Sequence, residues 1–197
     1  FLDTTKLTSI FPNILHIKDS IQNCLIKYKN NSDILITGGC GFIGSHFINA
    51  FFPNMQFSKL INIDALYYCA NVNNINSSIR NNTNYVFFNT NLANSTDIKK
   101  IFESFNITHV IHFAAQSHVQ NSFDDALQYT HDNILGTHTL LDACHKFTKL
   151  QKFIHISTDE VYGQSSLIDN LDIKHEHSLL CPTNPYSATK AGAEMLV

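Results

Sequence analysis

From Asp33 onward, short apolar and β-branched runs alternate with longer stretches of helical periodicity, and this alternation restricts the possible folds most strongly. The runs lie at 34–37 (ILIT), 60–64 (LINID), 85–89 (YVFFN), 110–114 (VIHFA) and 153–157 (FIHIS). Helical stretches are expected at 42–52, 96–105, 125–147 and 185–197. Strands that are apolar along their whole length are buried on both faces, and helices between them require a parallel sheet. Right-handed crossovers then give an α/β fold: a doubly wound, Rossmann-type, mostly parallel sheet with helices on both faces. Ligands of such sheets bind at the carboxyl ends of the strands. The stretch 71–84, rich in Asn and Ser, reads as a loop with room for one helical turn.

The first run passes straight into Gly38-Gly39-Cys40-Gly41-Phe42-Ile43-Gly44. Glycines at 38, 41 and 44 between a strand and a helix allow a tight turn, close backbone approach to a pyrophosphate, and close packing of helix on sheet. The helix start adds free N–H groups and partial positive charge. The second strand ends in Asp64, somewhat beyond the usual gap of about 20 residues, where a carboxylate can accept both ribose hydroxyls. That acid would repel a 2′-phosphate, so NAD is favoured over NADP.

Two further segments carry chemistry. Thr158-Asp159-Glu160 follows the fifth strand, at the rim where ligands bind. Tyr186 and Lys190 stand at i and i+4, on one face of a helix. An ammonium beside a phenol lowers its pKa from about 10, and the phenolate can then take a proton from a substrate hydroxyl. Cys40 opens a helix, where a thiolate can be stabilised, although packing as a small residue is the simpler expectation.

The segments TGGCGFIGSH, HFAAQSHVQNSF, NILGTHTLLDAC, STDEVYG and NPYSATKAGAE together resemble the extended short-chain dehydrogenase/reductase family. Within it they are most similar to the nucleotide-sugar 4,6-dehydratases, the UDP-glucose enzymes of rhamnose synthesis first and the dTDP-glucose enzymes close behind. Gln116 fits the UDP-glucose branch better, whereas Gln120-Asn121 and Asn91 depart from frequent family residues. The resemblance covers about 33–197, the N-terminal half of a member. It implies cofactor contacts from Phe42 and Ile43 at the phosphates, and from Asp64, Ala65, Leu66 and Tyr67 around the ribose. It implies further contacts from Asn91 and Leu92 beside the adenine, from Phe113, Ala114, Ala115 and Gln116 along the dinucleotide, and from Asp132. On the substrate side it implies Ser117, with Thr158 at the sugar O4, Asp159 as acid, Glu160 as base, and Tyr186 with Lys190 as the oxidation pair.

These residue types suit a 4,6-dehydration. Tyr186 deprotonates the C4 hydroxyl as hydride leaves C4 for NAD; the ketone acidifies C5–H for Glu160; and Asp159 protonates the departing C6 hydroxyl. Hydride then returns to C6 and a proton to C5. A nucleotide-sugar 4-epimerase needs the glycine turn and the Tyr–Lys pair but no such acid pair, so Asp159-Glu160 separates the two. A non-catalytic NAD-binding module is the reading from another class.

Composition closes other routes. Hydrophobic residues make up 44% and charged ones 15%, which excludes a disordered chain. Net charge is −3 and Arg80 is the sole arginine among 13 basic residues, which excludes a nucleic-acid footprint. No apolar run approaches a membrane span of about 18 residues. Five scattered cysteines without a CxxC, and no basic-then-apolar leader, fit a reduced, cytoplasmic setting. Among 11 histidines, His109 and His112 point to opposite strand faces, and His175 and His177 have no completing ligands, so no metal is expected. His118 is expected to be a structural hydrogen-bonder. Residues 1–32 read as an extension with an amphipathic helix near 14–28, and 33–197 as the NAD-binding domain. Phe1 and Val197 look like cut ends, with a C-terminal substrate domain expected beyond. Family resemblance adds a homodimer through 125–147 and 185–197.

Overall fold

A computed structural model describes residues 32–164 and 174–197; the helix expected near 14–28 lies outside the described residues. Five parallel strands, β1 (Asp33–Thr37), β2 (Leu60–Asp64), β3 (Tyr85–Asn89), β4 (Ile107–His112) and β5 (Lys152–His155), form one sheet in the order β3-β2-β1-β4-β5. The order reverses beside β1, and that is where a crevice opens at the strand ends. Register levels this rim: Thr37 pairs with Ile63 on one side and His112 on the other, and His112 pairs with His155.

Alternation along the strands builds a core on each face. Ile34 and Ile36 of β1, Leu60 of β2 and Ile111 of β4 pack against Phe47, Ile48 and Phe51 of α1 (Phe42–Phe51), together with Ile79 of α2 (Ser77–Arg80). On the opposite face, Leu35, Ile61, Ile63 and Val110 meet Ile98, Ile101 and Phe102 of α3 (Ser95–Ser104). A fully buried Ile or Leu stabilises by roughly 1.5–3 kcal/mol, so these two clusters fix the sheet and with it the rim.

The strand expectations need three corrections. β4 begins and ends earlier than 110–114, and β5 ends before 157, because the last residues of those apolar runs leave the sheet and line the crevice instead. Phe113 N–H, for example, turns back to Thr37 O at 3.1 Å. β3 and β5 are sheet edges and only partly buried, unlike the three inner strands. The loop-like 71–84 contains the single α2 turn and a 3₁₀ turn at Val72–Asn74.

The long helix expected over 125–147 is interrupted. α4 (Val119–Asp124) precedes it, α5 (Ala126–Tyr129) starts it, a π-helical stretch covers Thr130–Leu135, and α6 (Gly136–Phe147) completes it. π-turns recur at functional sites, and this one turns Asp132 and Asn133 toward the crevice. The last helix, α7 (Pro185–Leu196), starts with a capping box between Asn184 and Ser187 and has Pro185 in its first turn, where a missing N–H costs nothing. No described helix is long and apolar enough to cross a membrane.

Candidate active site

A cavity of about 350 Å³ lies over the strand ends. It gathers Gly38, Gly41, Phe42, Ile43, Gly44, Asp64, Ala65, Tyr67, Asn91, Leu92, Phe113, Ala114, Ala115, Gln116, Ser117, Asp132, Tyr186 and Lys190. Of the cofactor and substrate contacts that the family resemblance implies, Leu66, Thr158, Asp159 and Glu160 are not on its wall. Ser157, the first residue of the STDEVYG segment expected at this rim, lines it as well, while Ile156 at the end of β5, and Cys69, Ala70 and Thr90, do so without having been anticipated. Their position one to six residues past a strand end was the signal available.

The glycine turn is built for a group that comes close to backbone. Gly38 has φ +70°, and a Cβ there would fall 2.6 Å from Ala114 N. At Gly44 a Cβ would fall 2.3 Å from Gly38 O, so α1 can pack this tightly only with glycine. Gly41 precedes α1 with no side-chain cap and no acid follows in the first turn. The first-turn N–H groups, at Phe42 and Ile43, are therefore left to an anion from the cavity.

Asp64 sits beneath the same wall, 8% exposed. Its carboxylate accepts from Cys40 N–H and Leu66 N–H, both at 2.8 Å. Burial holds its pKa above the ordinary value even though these backbone donors pull it down. A carboxylate has about four acceptor positions, so capacity remains for a ribose. Leu66 takes φ +55°, a rare conformation for a branched side chain, and turns the chain so that Tyr67 and Cys69 face the cavity. Cys40 is fully buried, and burial and then the nearby Asp64 push its thiol up to about 12. It packs as a neutral group, not a thiolate.

Asp132 organises the far end. Gln116 Nε2, Asn91 Nδ2 and Gln128 Nε2 donate to it at 2.8, 2.8 and 2.9 Å. Burial raises its pKa, but these bonds and His131 outweigh it, and the carboxyl titrates below its ordinary range. Asn91 also donates to Tyr67 Oη at 2.9 Å, so the polar groups at this end form one connected net. Asn133, 1% exposed, grips both the N–H and the carbonyl of Gln116 and the hydroxyl of Thr189 on α7.

Tyr186 and Lys190 are both buried and both on the cavity wall. The expected lowering of the phenol is not what surrounds it. Burial raises the Tyr186 pKa, a hydrogen bond with Thr158 opposes this, and Glu160 and Asp159 raise it further. Lys190 donates to Ile156 O at 2.6 Å, and burial depresses its pKa to about 8 despite nearby Glu194. Burial first, and the two neighbouring acids after it, thus favour the protonated phenol, and a cationic group entering the cavity would oppose them.

Thr158 caps a 3₁₀ turn over Asp159–Tyr162 by accepting from Glu160 N–H at 3.3 Å, and donates to Asp159 at 3.3 Å. Asn184, the cap of α7, donates to Glu160 Oε2 at 2.9 Å. The acid pair therefore lies near Tyr186 but off the cavity wall. His118 serves as the cap of α4, and its carbonyl accepts from Tyr129 at 2.6 Å. Among the described residues no three His, Cys, Asp or Glu side chains converge as metal ligands would.

A parallel 3-2-1-4-5 sheet with a glycine turn, a strand-end acid and a Tyr–Lys pair on the rim defines the nucleotide-binding half of an extended short-chain dehydrogenase/reductase. Residues 35–197 match the family described as GDP-mannose 4,6 dehydratase, and the chain belongs to that family. A dTDP-D-glucose 4,6-dehydratase of Dictyostelium discoideum is 47% identical over 181 residues, covering 85% of this chain and 41% of that protein. A trifunctional UDP-glucose 4,6-dehydratase, 3,5-epimerase and reductase of Arabidopsis thaliana is 46% identical over 165 residues, covering 84% of this chain and 24% of that protein. The chain thus spans less than half the length of these relatives. The solved dTDP-glucose 4,6-dehydratase of Streptomyces venezuelae, with NAD and TYD bound, superimposes with a TM-score of 0.72 at 31% identity, covering 83% of this chain and 50% of that one.

Proposed function

We propose that residues 33–197 form the NAD-binding domain of a nucleotide-sugar 4,6-dehydratase that converts UDP-glucose to its 4-keto-6-deoxy form. The observation that carries this reading is the Thr158-Asp159-Glu160 turn set against the start of the tyrosine helix, just off the cavity wall: Thr158 hydrogen-bonds the Tyr186 phenol, and Asn184, the cap of that helix, donates to Glu160 Oε2 at 2.9 Å. A 4-epimerase has no use for two acids there.

NAD bound in the cavity supplies a hydride acceptor for sugar C4 and a hydride donor for C6, so the net change is loss of one water. Phe42 and Ile43 N–H groups hold its diphosphate, Asp64 its ribose, and the Asp132–Asn91 net its adenine end. Tyr186 Oη takes the proton of the C4 hydroxyl, with Thr158 orienting that oxygen. Lys190, fixed on Ile156 O, keeps its charge against the cavity wall. Glu160 takes the C5 proton, Asp159 gives a proton to the C6 hydroxyl, which leaves as water, and a proton is then returned to C5. Ser117 lies on the substrate side.

Identity to the dTDP-glucose relative is as high as to the UDP-glucose one, so dTDP-glucose is the second substrate reading. Exposed Leu127 and Leu135 along the interrupted helix favour pairing with a second copy, and free thiols at Cys69 and Cys181 fit the cytoplasm. Supplying UDP-glucose and, separately, dTDP-glucose with NAD to this chain and to the longest reading frame that contains it tests the proposal. A 4-keto-6-deoxy product from UDP-glucose is expected. Product from dTDP-glucose alone moves the substrate, a C4 epimer replaces the reaction, and NAD uptake without turnover in the longer frame leaves only a binding module.

A further inference from the structure

Strand β2 carries a polar side chain where its neighbours Ile61 and Ile63 are apolar: Asn62, fully buried. A buried amide of this kind is costly unless its hydrogen-bonding capacity is used, and here it is. Its Oδ1 accepts from Gly39 N–H at 3.1 Å, and its Nδ2 donates to Tyr85 Oη at 2.9 Å and to Cys40 Sγ at 3.5 Å. The fit to the glycine turn is close. A Cβ at Gly39 would fall 2.2 Å from Asn62 Oδ1. Position 39 can hold only glycine while this amide fills the space.

β2 in fact claims three successive N–H groups of the turn. Gly38 N–H goes to Ile63 O at 2.8 Å, Gly39 N–H to Asn62, and Cys40 N–H to Asp64 at 2.8 Å. None of the three is free for a ligand. A diphosphate is left with donors further along, at Phe42 and Ile43, and the direction of those donors follows from how the preceding turn is pinned.

We propose that Asn62 is a positioning residue for the diphosphate-binding turn, with Tyr85 fixing its amide from the adjacent strand. This rests on the reading of the cavity as a dinucleotide site. Asn62 touches neither sugar nor cofactor in this scheme; it sets the shape of the turn that does. The role concerns phosphates and leaves the adenosine end, held by Asp64 and the Asp132 net, to itself.

The test is calorimetric titration of the full 197-residue chain with ADP and with adenosine, for the wild type, Asn62→Leu and Tyr85→Phe, each first checked for folding by circular dichroism. Leu is close in volume and cannot accept from Gly39. Asn62→Leu is expected to weaken ADP by about tenfold or more, the scale of a lost buried hydrogen bond, while adenosine changes less than twofold. Tyr85→Phe keeps the ring that packs edge-on against Phe52 at 6.3 Å and loses the Oη acceptor, leaving Nδ2 only the longer contact to Cys40 Sγ at 3.5 Å. It is expected to weaken ADP a few-fold, again sparing adenosine, and it carries the test if Asn62→Leu does not fold. If a folded variant binds ADP as the wild type does, or loses ADP and adenosine alike, the positioning role falls while the dinucleotide reading stands. If the wild type itself binds neither nucleotide, the dinucleotide reading falls and the positioning role goes with it.

Discussion

Asn184 Nδ2 donates to the Glu160 carboxylate at 2.9 Å while Asn184 Oδ1 accepts from Ser187 N–H at 2.8 Å, so one side chain starts the tyrosine helix and holds the proposed base. The two duties can be separated. Asn and Asp cap helices almost equally well, but Asp at 184 replaces a donor facing Glu160 with a second negative charge. Asn184→Asp is expected to change unfolding free energy by less than about 1 kcal/mol and to lower formation of the keto sugar by at least tenfold. Thermal unfolding and product assay on the same preparation check both halves.

Lys190 is 4% exposed and its pKa is depressed to about 8 by burial. An unfolded chain holds that proton up to about pH 10.4. Between pH 8 and that value the unfolded state therefore binds more protons than the folded one, and stability rises with pH. Below pH 8 the buried charge costs about 3 kcal/mol in full. Lys190→Met is expected to be more stable than wild type at pH 7, with the gap narrowing as pH climbs from 8 to 10. Denaturant unfolding across that range measures it.

His155 lies beside His112, ring centroids 5.2 Å apart, and neither of its ring nitrogens has a hydrogen-bond partner among the described residues. Burial, then the nearby Lys190, lowers its pKa to about 4. Unfolding at pH 4–6.5 therefore takes up a proton, and stability falls as pH drops through that window. For this half-buried ring the loss is about 2 kcal/mol once solvent screening is allowed for. His155→Leu is expected to flatten the acid limb of the stability profile, and an unchanged slope would assign that limb to other groups.

The sheet, its order of elements and the cavity wall were legible because each rests on a local pattern: a strand that runs into glycines, or an acid at a strand end. Strand ends at β4 and β5 were misread because Phe113, Ala114 and Ile156 are as apolar as the strands they leave; much of the cavity wall is apolar too, and composition cannot separate wall from core. The break at Thr130–Leu135 was hidden for a related reason. A π-turn keeps helical composition and differs only in what Asp132 and Asn133 reach. Spacing placed Tyr186 and Lys190 on one helix face, yet it could not show that burial, Thr158 and two acids from a distant segment, and not the ammonium, set the phenol's surroundings. Asn62 was invisible, since a single polar residue in an apolar strand acquires meaning only when Gly39 is seen against it.

The most direct measurement is to run the reaction of the reading frame containing this chain in D2O and read the product by NMR. Removal of C5–H by Glu160 and its replacement from solvent predict a 4-keto-6-deoxy sugar with deuterium at C5 and the original C4 hydrogen carried to C6. A hexose inverted at C4, with its C6 hydroxyl intact and no deuterium at C5, would contradict the account.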